Sequence, residues 1–194
     1  MKLYLTPGAC SLADHIALHE AGLEFDRVQV DLQKKRTVDG GDFNEVNPKS
    51  YVPALVLDGG DLLTENVAIR YWVAERAPKL APGGEMERIR LIEMLAFIAT
   101  ELHKPFVRCF FPTSDAEKQS AQDAIRRRLR FLADRLHGGY LFGHEFSVAD
   151  AYLYVMLRWA RMQALELPEP LPAFFDRVEA RPAVRLALQH EGLA

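Results

Sequence analysis

The chain has 194 residues, 49% of them hydrophobic and 26% charged, which is the composition of an ordinary globular protein. A formal net charge of −3 argues against a broad nucleic-acid-binding surface. No apolar run approaches the roughly 20 residues of a membrane span, and no signal-peptide pattern precedes the first strand-like residues. We therefore predict a cytoplasmic protein with neither nucleic acid nor membrane as a partner.

The first 80 residues mix strand and helix patterns. Strand formers in KLYLT and FDRVQVDL flank a helical pattern that stops at Gly22, which predicts a β-α-β start with a parallel pair. After a short helix, VPALVLDGGDLLTE predicts a hairpin around its Asp-Gly-Gly-Asp turn. A further helix is predicted from Glu65 to Ala77. This order predicts a small α/β domain over residues 1–80.

Beyond residue 80 the strand patterns stop, and the proline- and glycine-rich APKLAPGGE predicts a linker. Residues 85–194 are predicted to form an all-helical domain. Its first helix runs from Glu85 to Phe111 and is expected to bend near Pro105, where a backbone donor is missing. Capping-box spacings at Ser114 and Ser147 predict two further helices. The second of these is apolar almost all round and is expected at the centre of a bundle.

Cys10 lies where the first strand turns at Pro7-Gly8 into a helix. Free cysteines are mostly buried and inert. At a helix N-terminus, however, free N–H groups and the helix dipole stabilise a thiolate and lower its pKa. Placement alone leaves both interpretations open. With Cys109 as the only other cysteine and six histidines that look scattered, we predict neither a disulfide framework nor a metal site.

Two other stretches have the chemistry to bind a ligand. Val52-Pro53 directly precedes a strand and is a candidate cis peptide, which would leave the Val52 backbone free to pair with an extended peptide. In LTEN, Thr64 and Glu65 are suited to capping the following helix. The alternative is that Glu65 holds an ammonium group while amides near Asn66 hold a carboxylate.

Five segments follow one another along the chain: MKLYLTPGACSLADHIALHEAGL, VNPKSYVPALVLD, LLTENVAI, ATELHKPF and SVADAYLYVMLRWA. Together they resemble bacterial beta-class glutathione S-transferases over essentially the whole chain. The resemblance implies a thioredoxin-like N-terminal domain, an all-helical C-terminal domain and a homodimer. Glutathione, as cosubstrate, and a small electrophile are the implied partners, and no cofactor is expected.

The resemblance also implies roles for individual residues. Cys10 would face the glutathione sulfur and is able to form a mixed disulfide with it. Val52 would pair its backbone with the cysteinyl unit, next to a cis Pro53. Three more residues would contact the tripeptide: Lys35, Glu65 and Asn66. The family often has glycine or serine where Asn66 stands.

His103 is the histidine that the resemblance places near the sulfur, although a lone histidine on a helix is more often a surface or core residue. Helical spacing puts Ala96, Thr100, His103 and Lys104 on one face, which predicts that they line one wall of the site. Ala96 replaces a family asparagine that reaches toward glutathione in the neighbouring subunit. We therefore expect this cross-subunit contact to be missing.

The predicted activity is attack of the glutathione thiolate on electrophiles, with Cys10 and His103 as the catalytic residues. Phe106, Phe110 and Trp159 are candidates for an apolar second-substrate pocket, with core filling as the alternative for each. Cys10 also permits thiol–disulfide exchange with glutathione. A non-catalytic interaction module is the alternative from another class. It gives no reason for the chain to combine Cys10, Val52-Pro53 and His103.

Overall fold

The computed structural model describes all 194 residues. The strands are β1 (Lys2–Leu5), β2 (Asp26–Asp31), β3 (Arg36–Thr37), β4 (Ala54–Val56) and β5 (Leu62–Thr64). The helices among and just after the strands are α1 (Leu12–Ala21), α2 (Phe43–Val46) and α3 (Asn66–Arg76). The later helices are α4 (Glu85–Phe97), α5 (Lys104–Phe110), α6 (Asp115–Ala133), α7 (Val148–Met162), α8 (Leu171–Glu179) and α9 (Pro182–His190).

The five strands form one mixed sheet in the order β3-β2-β1-β4-β5. The predicted parallel pair is confirmed between β1 and β2, and the predicted hairpin is confirmed between β4 and β5. Side chains alternate along β1, because successive residues of a strand point to opposite faces. Leu3 and Leu5 enter the main core, whereas Tyr4 packs against a small cluster that contains Phe43 and Val52.

Helix α7 is the centre of the helical part, as predicted from its apolar sequence. Twelve of its 15 residues are buried, and it contacts α1, α3, α4 and α8. One continuous core runs from Leu3 in the sheet to Leu188 in α9. Shared burial therefore holds the sheet and the helical part together. None of the helices is long and apolar enough to span a bilayer.

The long helix predicted after the linker is α4 and α5 joined by a π-helical segment, Ile98–His103. Pro105 lies two residues after the end of this segment. A proline has no N–H to donate, and its ring conflicts with the carbonyl four residues earlier, here that of Glu101. The irregularity expected at Pro105 thus occupies the turn before it. Segments of this kind recur at functional sites.

The two predicted capping boxes differ in how completely they form. Ser147 and Asp150 bond reciprocally at the start of α7. Burial raises the pKa of the Asp150 carboxyl to about 6. At α6 the Ser114 hydroxyl accepts from the Glu117 amide, but the Glu117 carboxylate accepts from the Thr113 amide and not from that of Ser114. Only half of this second box therefore exists.

Candidate functional site

A cleft of about 740 Å³ lies where the loop before α1, the start of α3 and the π segment meet α5 and α7. Thirteen of its 20 lining residues are hydrophobic, so it is an apolar cleft with a few polar groups. Its lining includes Gly8, Cys10, Tyr51, Val52, Pro53, Glu65, Asn66, Ala99, His103, Lys104, Val107, Phe110, Phe111, Tyr152, Trp159 and Met162.

Cys10 precedes α1 and is only 8% exposed, with its thiol donating to the Val52 carbonyl at 3.5 Å. Burial, with a smaller contribution from the neighbouring Asp14 carboxyl, raises the pKa of the thiol to about 11. Asn66 and Arg70 oppose this rise without cancelling it. The lowered pKa suggested by the helix start is therefore wrong, because desolvation outweighs the helix dipole here. Cys10 is a neutral thiol at pH 7.

The loop before Cys10 is held through the backbone of Gly8. The Gly8 amide donates to the Glu191 carboxylate at 2.9 Å, and the Gly8 carbonyl accepts from the Trp159 indole at 2.9 Å. Gly8 has φ +71°, a left-handed conformation that favours glycine. Two side chains from the helical part thus fix the turn that positions Cys10.

Arg70 on α3 lies beneath this loop and is completely buried. Its guanidinium donates to the Cys10 carbonyl at 3.2 Å, to Asp14 at 3.1 Å and to Asn66 at 2.9 Å. It also stacks 3.7 Å from the centre of the Tyr152 ring. Burial raises the pKa of the Asp14 carboxyl, and Arg70 holds it below the value that burial alone would give. This network joins α1, α3 and α7 under the cleft.

The Val52-Pro53 peptide bond is cis, as the sequence suggested. The Val52 carbonyl accepts from Cys10, and the Val52 amide has no partner within the chain. Both residues line the cleft beside the first strand residue of β4. An extended peptide can therefore pair with this backbone in the manner of an added strand.

Glu65 lies at the cleft with its carboxylate held by two partners. It accepts from Lys49 at 2.7 Å and from the Tyr51 hydroxyl at 2.6 Å. These two hydrogen bonds hold the pKa of the carboxyl below its ordinary value, so Glu65 is ionised at pH 7. Its backbone has φ +71°, which is rare for a residue with a side chain. Such outliers cluster at ligand sites.

The start of α3 differs from the capping that the sequence suggested. Glu65 itself is the N-cap residue, and its side chain makes no capping bond. Thr64 accepts from Lys49 and caps nothing. The Asn66 side chain turns inward to Arg70, so its backbone amide is the group available to the cleft. The first N–H groups of a helix lack intrahelical partners, and they attract an anion.

His103 comes from the π segment and contacts Tyr152 of α7. Its Nδ1 is 2.8 Å from the Tyr152 hydroxyl. Burial, followed by the charges of Arg70 and Lys104, lowers the pKa of His103 to about 4. Burial raises the pKa of Tyr152. Both groups are therefore neutral at pH 7, and when Tyr152 donates to Nδ1, the proton of the imidazole lies on Nε2.

The wall predicted on the long helix is partly wrong. His103 and Lys104 line the cleft, but Ala96 and Thr100 do not, and the Thr100 hydroxyl donates to the Ala96 carbonyl at 3.0 Å. The prediction assumed 3.6 residues per turn, whereas π-type i→i+5 bonding widens the turn. The face turned to the cleft is instead Ala99, His103, Lys104 and Val107.

Lys35 lies just outside the lining of the cleft. Its amine donates to the Ser50 carbonyl at 2.9 Å, and Ser50 directly precedes the lining residue Tyr51. Lys35 has φ +55°, the left-handed conformation again. Its charge therefore lies at the edge of the cleft that Tyr51 and Val52 form.

The apolar part of the cleft comes from α5 and α7. Phe110 and Trp159 line it and meet edge to face at 5.2 Å between ring centres. Phe106 is completely buried beneath Trp159, so it fills the core, as the alternative interpretation had it. Phe111 and Met162 also line the cleft, with 80% and 70% of their surfaces exposed. Exposed apolar side chains of this size mark a binding surface.

Several residues of the site were not foreseen from the sequence. Tyr51 and Lys49 gave no signal, because their partner Glu65 is distant along the chain. The sequence does contain a signal for Arg70, since this charged residue lies among apolar ones, between Ile69 and Val73, on the buried face of α3. A charged residue on an apolar stripe implies a buried partner.

Comparison with known proteins agrees with this geometry. Residues 9–76 match the family model of the glutathione S-transferase N-terminal domain, and residues 97–182 match that of the C-terminal domain. The chain is 46% identical to the glutathione S-transferase GstA of Escherichia coli O157:H7, with 100% of both chains covered.

Two solved structures have the same fold over the whole chain. They are a sphingomonad glutathione S-transferase complexed with glutathione and a beta-class glutathione S-transferase of Sphingomonas chungbukensis. Each is 46% identical, with 100% of both chains covered and a TM-score of 0.93. The resemblance noted in the sequence is confirmed, together with its thioredoxin-like and all-helical architecture: the chain belongs to the glutathione S-transferase family and is similar to its bacterial beta-class members.

Proposed function

We propose that this protein is a glutathione transferase that joins the glutathione sulfur to apolar electrophiles. The observation that carries the proposal is the convergence on one cleft of the Cys10 thiol, the Val52 backbone, the Glu65 carboxylate and the free amides of α3. An interaction module has no need to bring these groups together. Residues of both domains that we propose, the glutathione-binding domain, 1–80, and the helical domain, 85–194, line this cleft.

The polar groups match the charges of glutathione, which carries one ammonium and two carboxylates. The ionised Glu65 fits the ammonium, and the amides at the start of α3 fit the carboxylate of the same γ-glutamyl unit. The Val52 amide and carbonyl pair with the cysteinyl unit. Lys35 then receives the carboxylate at the glycine end, because it lies at the edge of the cleft beyond Val52.

Catalysis consists of keeping the bound glutathione sulfur as a thiolate. The neutral Cys10 donates its S–H to that sulfur, and His103 donates Nε2–H while Tyr152 holds its Nδ1. Lys104, whose positive charge lies at the same wall, adds attraction for the thiolate. Hydrogen bonds to the charged form lower the pKa of a thiol. The thiolate, whose proton has passed to solvent, gives its electron pair to the electrophilic carbon and forms the C–S bond. In a substitution the bond to the leaving group breaks and that group departs with the bonding pair; in an addition the π pair moves to the neighbouring atom, which takes a proton from solvent.

The second substrate fits the apolar end of the cleft, between the Phe110–Trp159 pair and the exposed Phe111 and Met162. The electrophile is therefore apolar, and it need not be aromatic, since aliphatic and aromatic groups both pack against such rings. Because Cys10 and Cys109 are free thiols, the proposal places the reaction in a reducing cytoplasm, where glutathione detoxifies such compounds.

The proposal includes a homodimer. Met86, Ile89 and Ile92 present an exposed apolar stripe along α4, with exposures of 56%, 55% and 40%. Light scattering is expected to give twice the chain mass of 22.0 kDa, and Ile89→Lys is expected to shift the protein toward the monomer. Arg127→Glu on α6 is the control for a change of charge. A wild-type mass equal to one chain would remove the homodimer from the proposal.

The role of Cys10 is tested by two rates measured on the same proteins. Conjugation of an apolar electrophile is expected to fall about tenfold in Cys10→Ala and less in Cys10→Ser, which keeps a donor. The formation of a glutathione adduct with oxidised glutathione, followed by intact-protein mass, is expected to rise about tenfold per pH unit from pH 7 to 10, because only the thiolate reacts.

Cys109→Ala serves as the matched control, since Cys109 is buried in the core and does not line the cleft. It is expected to keep the adduct and the conjugation rate. An adduct that forms at a pH-independent rate above pH 6 would show that Cys10 is a thiolate in the free protein. Thiol–disulfide exchange through Cys10 would then replace conjugation as the leading activity.

A further inference from the structure

Three histidines meet outside the cleft, where α1 packs against the end of α9. They are His15 and His19 on α1 and His190 at the end of α9. One ring nitrogen from each lies within 4.8 Å of one ring nitrogen of each of the others. The sequence-based prediction of no metal site overlooked that His15 and His19 are four residues apart, which puts them on one face of a helix.

Two of the three imidazoles carry a buried nitrogen without a partner. His15 is completely buried, and its Nδ1 bonds to the Glu191 carboxylate at 2.8 Å while its Nε2 has no partner. Nε2 of His19 is likewise buried and unpaired. Leaving a polar atom buried without a hydrogen bond is unfavourable. Two such atoms in one cluster therefore suggest a site where a ligand binds.

Glu191 supplies the outer partner that metal sites use. A metal-bound histidine usually donates its second nitrogen to a carboxylate, which fixes the tautomer and strengthens the ligand. Glu191 has this relation to His15, because it occupies Nδ1 and leaves Nε2 free. A hydrogen bond made only for packing would not require the other nitrogen to stay unpaired.

The charges that face the cluster come from Arg27 and Glu191. The charge of Arg27 on β2 faces the cluster and opposes a cation. Arg27 is exposed, however, so solvent screens its charge, and the Glu191 carboxylate offsets it from the other side.

We propose that His15, His19 and His190 bind one divalent transition-metal ion of the zinc class, with Glu191 as the carboxylate behind His15. Imidazole is a preferred ligand of such ions, and three histidines leave the fourth position to water. Zinc bonds of 2.0–2.1 Å place tetrahedral nitrogens about 3.3 Å apart. The three nitrogens, which lie within 4.8 Å of one another, would therefore have to move closer together on binding, and the exposed His190 has the most room to do so.

The metal would act on the loop that carries Cys10. Glu191 bonds to His15 through one carboxylate oxygen and to the Gly8 amide through the other. Binding at the histidines therefore orders the group that holds the turn before Cys10. We assign the ion a structural role at this junction of α1, α9 and the loop.

The test uses untagged, chelator-treated protein in the Cys10→Ser/Cys109→Ser background, so that neither thiol binds the probe. Titration with Zn²⁺ alone against a chromogenic chelator is expected to show one saturable site per chain. X-ray absorption at the zinc edge is expected to show nitrogen and oxygen ligands at about 2.0 Å and no sulfur. His190→Gln, at an exposed position, is expected to weaken binding at least tenfold, and Glu191→Gln about 10–100-fold.

His137→Gln is the matched control, because His137 is exposed and lies outside the cluster. It is expected to keep the wild-type affinity. The absence of saturable Zn²⁺ binding overturns the proposal. Binding that is unchanged in His190→Gln or lost equally in His137→Gln overturns it as well. These outcomes say nothing against glutathione transfer, since none of the three histidines lines the cleft.

Discussion

Arg70→Met is expected to lower the free energy of unfolding by about 3–5 kcal/mol, because it removes one partner of a buried ion pair and leaves the other uncompensated. Asp14 is 0% exposed and has no second cationic partner, and Asn66 loses its donor at the same time. Methionine fills most of the volume of the arginine stem, so the loss reports the charge network more than a cavity. Urea unfolding at pH 7, followed by circular dichroism, measures the change.

Two further variants separate this cause from a general effect of losing an arginine. Arg128→Met removes an ion pair with Glu101 whose side chains are each 40% exposed, and it is expected to cost no more than about 1 kcal/mol. Arg70→Met combined with Asp14→Leu removes both charges and is expected to recover part of the loss. A double variant as unstable as Arg70→Met would mean that packing at this position, not the unpaired Asp14, sets the cost.

The stability difference between the wild type and His103→Gln is expected to shift by up to about 3 kcal/mol between pH 7.5 and pH 4. Burial lowers the pKa of folded His103 to about 4, whereas an ordinary histidine titrates near 6.5. As pH falls below 6.5, His103 therefore binds a proton in the unfolded chain but stays unprotonated in the folded chain. The wild type loses this contribution between about pH 6.5 and 4, and the glutamine variant has none to lose.

The comparison of two proteins is essential here, because other buried groups titrate in the opposite sense. Burial raises the pKa values of Asp14 and Asp150, so their protonation favours the folded chain as pH falls. These contributions are common to both proteins and cancel in the difference. His137→Gln, at an exposed position, controls for the loss of an imidazole. Parallel pH profiles for wild type and His103→Gln would show that His103 is solvated in the folded protein.

Local patterns predicted most of the fold because their causes are local. Alternation in KLYLT, the Gly22 stop and the Asp-Gly-Gly-Asp turn each specify one element, and the structure has all three. The π segment was not predicted, because i→i+5 hydrogen bonding leaves no distinct spacing of apolar residues in a sequence. As a result, the sequence predicted Thr100 at the cleft, where the structure has Ala99.

The site was predicted only as far as its residue types and the family resemblance extend. Cys10, Val52, Glu65 and His103 do meet at one cleft. The protonation state of Cys10 was not predictable, because burial depends on packing by Asn66, Arg70 and other residues far along the chain. His190 and Glu191 could not be linked to α1 either, since their partner His15 lies some 175 residues away in sequence.

The bonds at Gly8 have a consequence for how the protein is made. The turn before Cys10 needs Trp159 and Glu191, which lie 151 and 183 residues after Gly8 in the sequence. During synthesis the N-terminal strands emerge first, but this turn lacks both partners until Glu191 has been translated. A nascent chain is therefore expected to acquire its sheet early and its competent sulfur site only after Glu191 has left the ribosome.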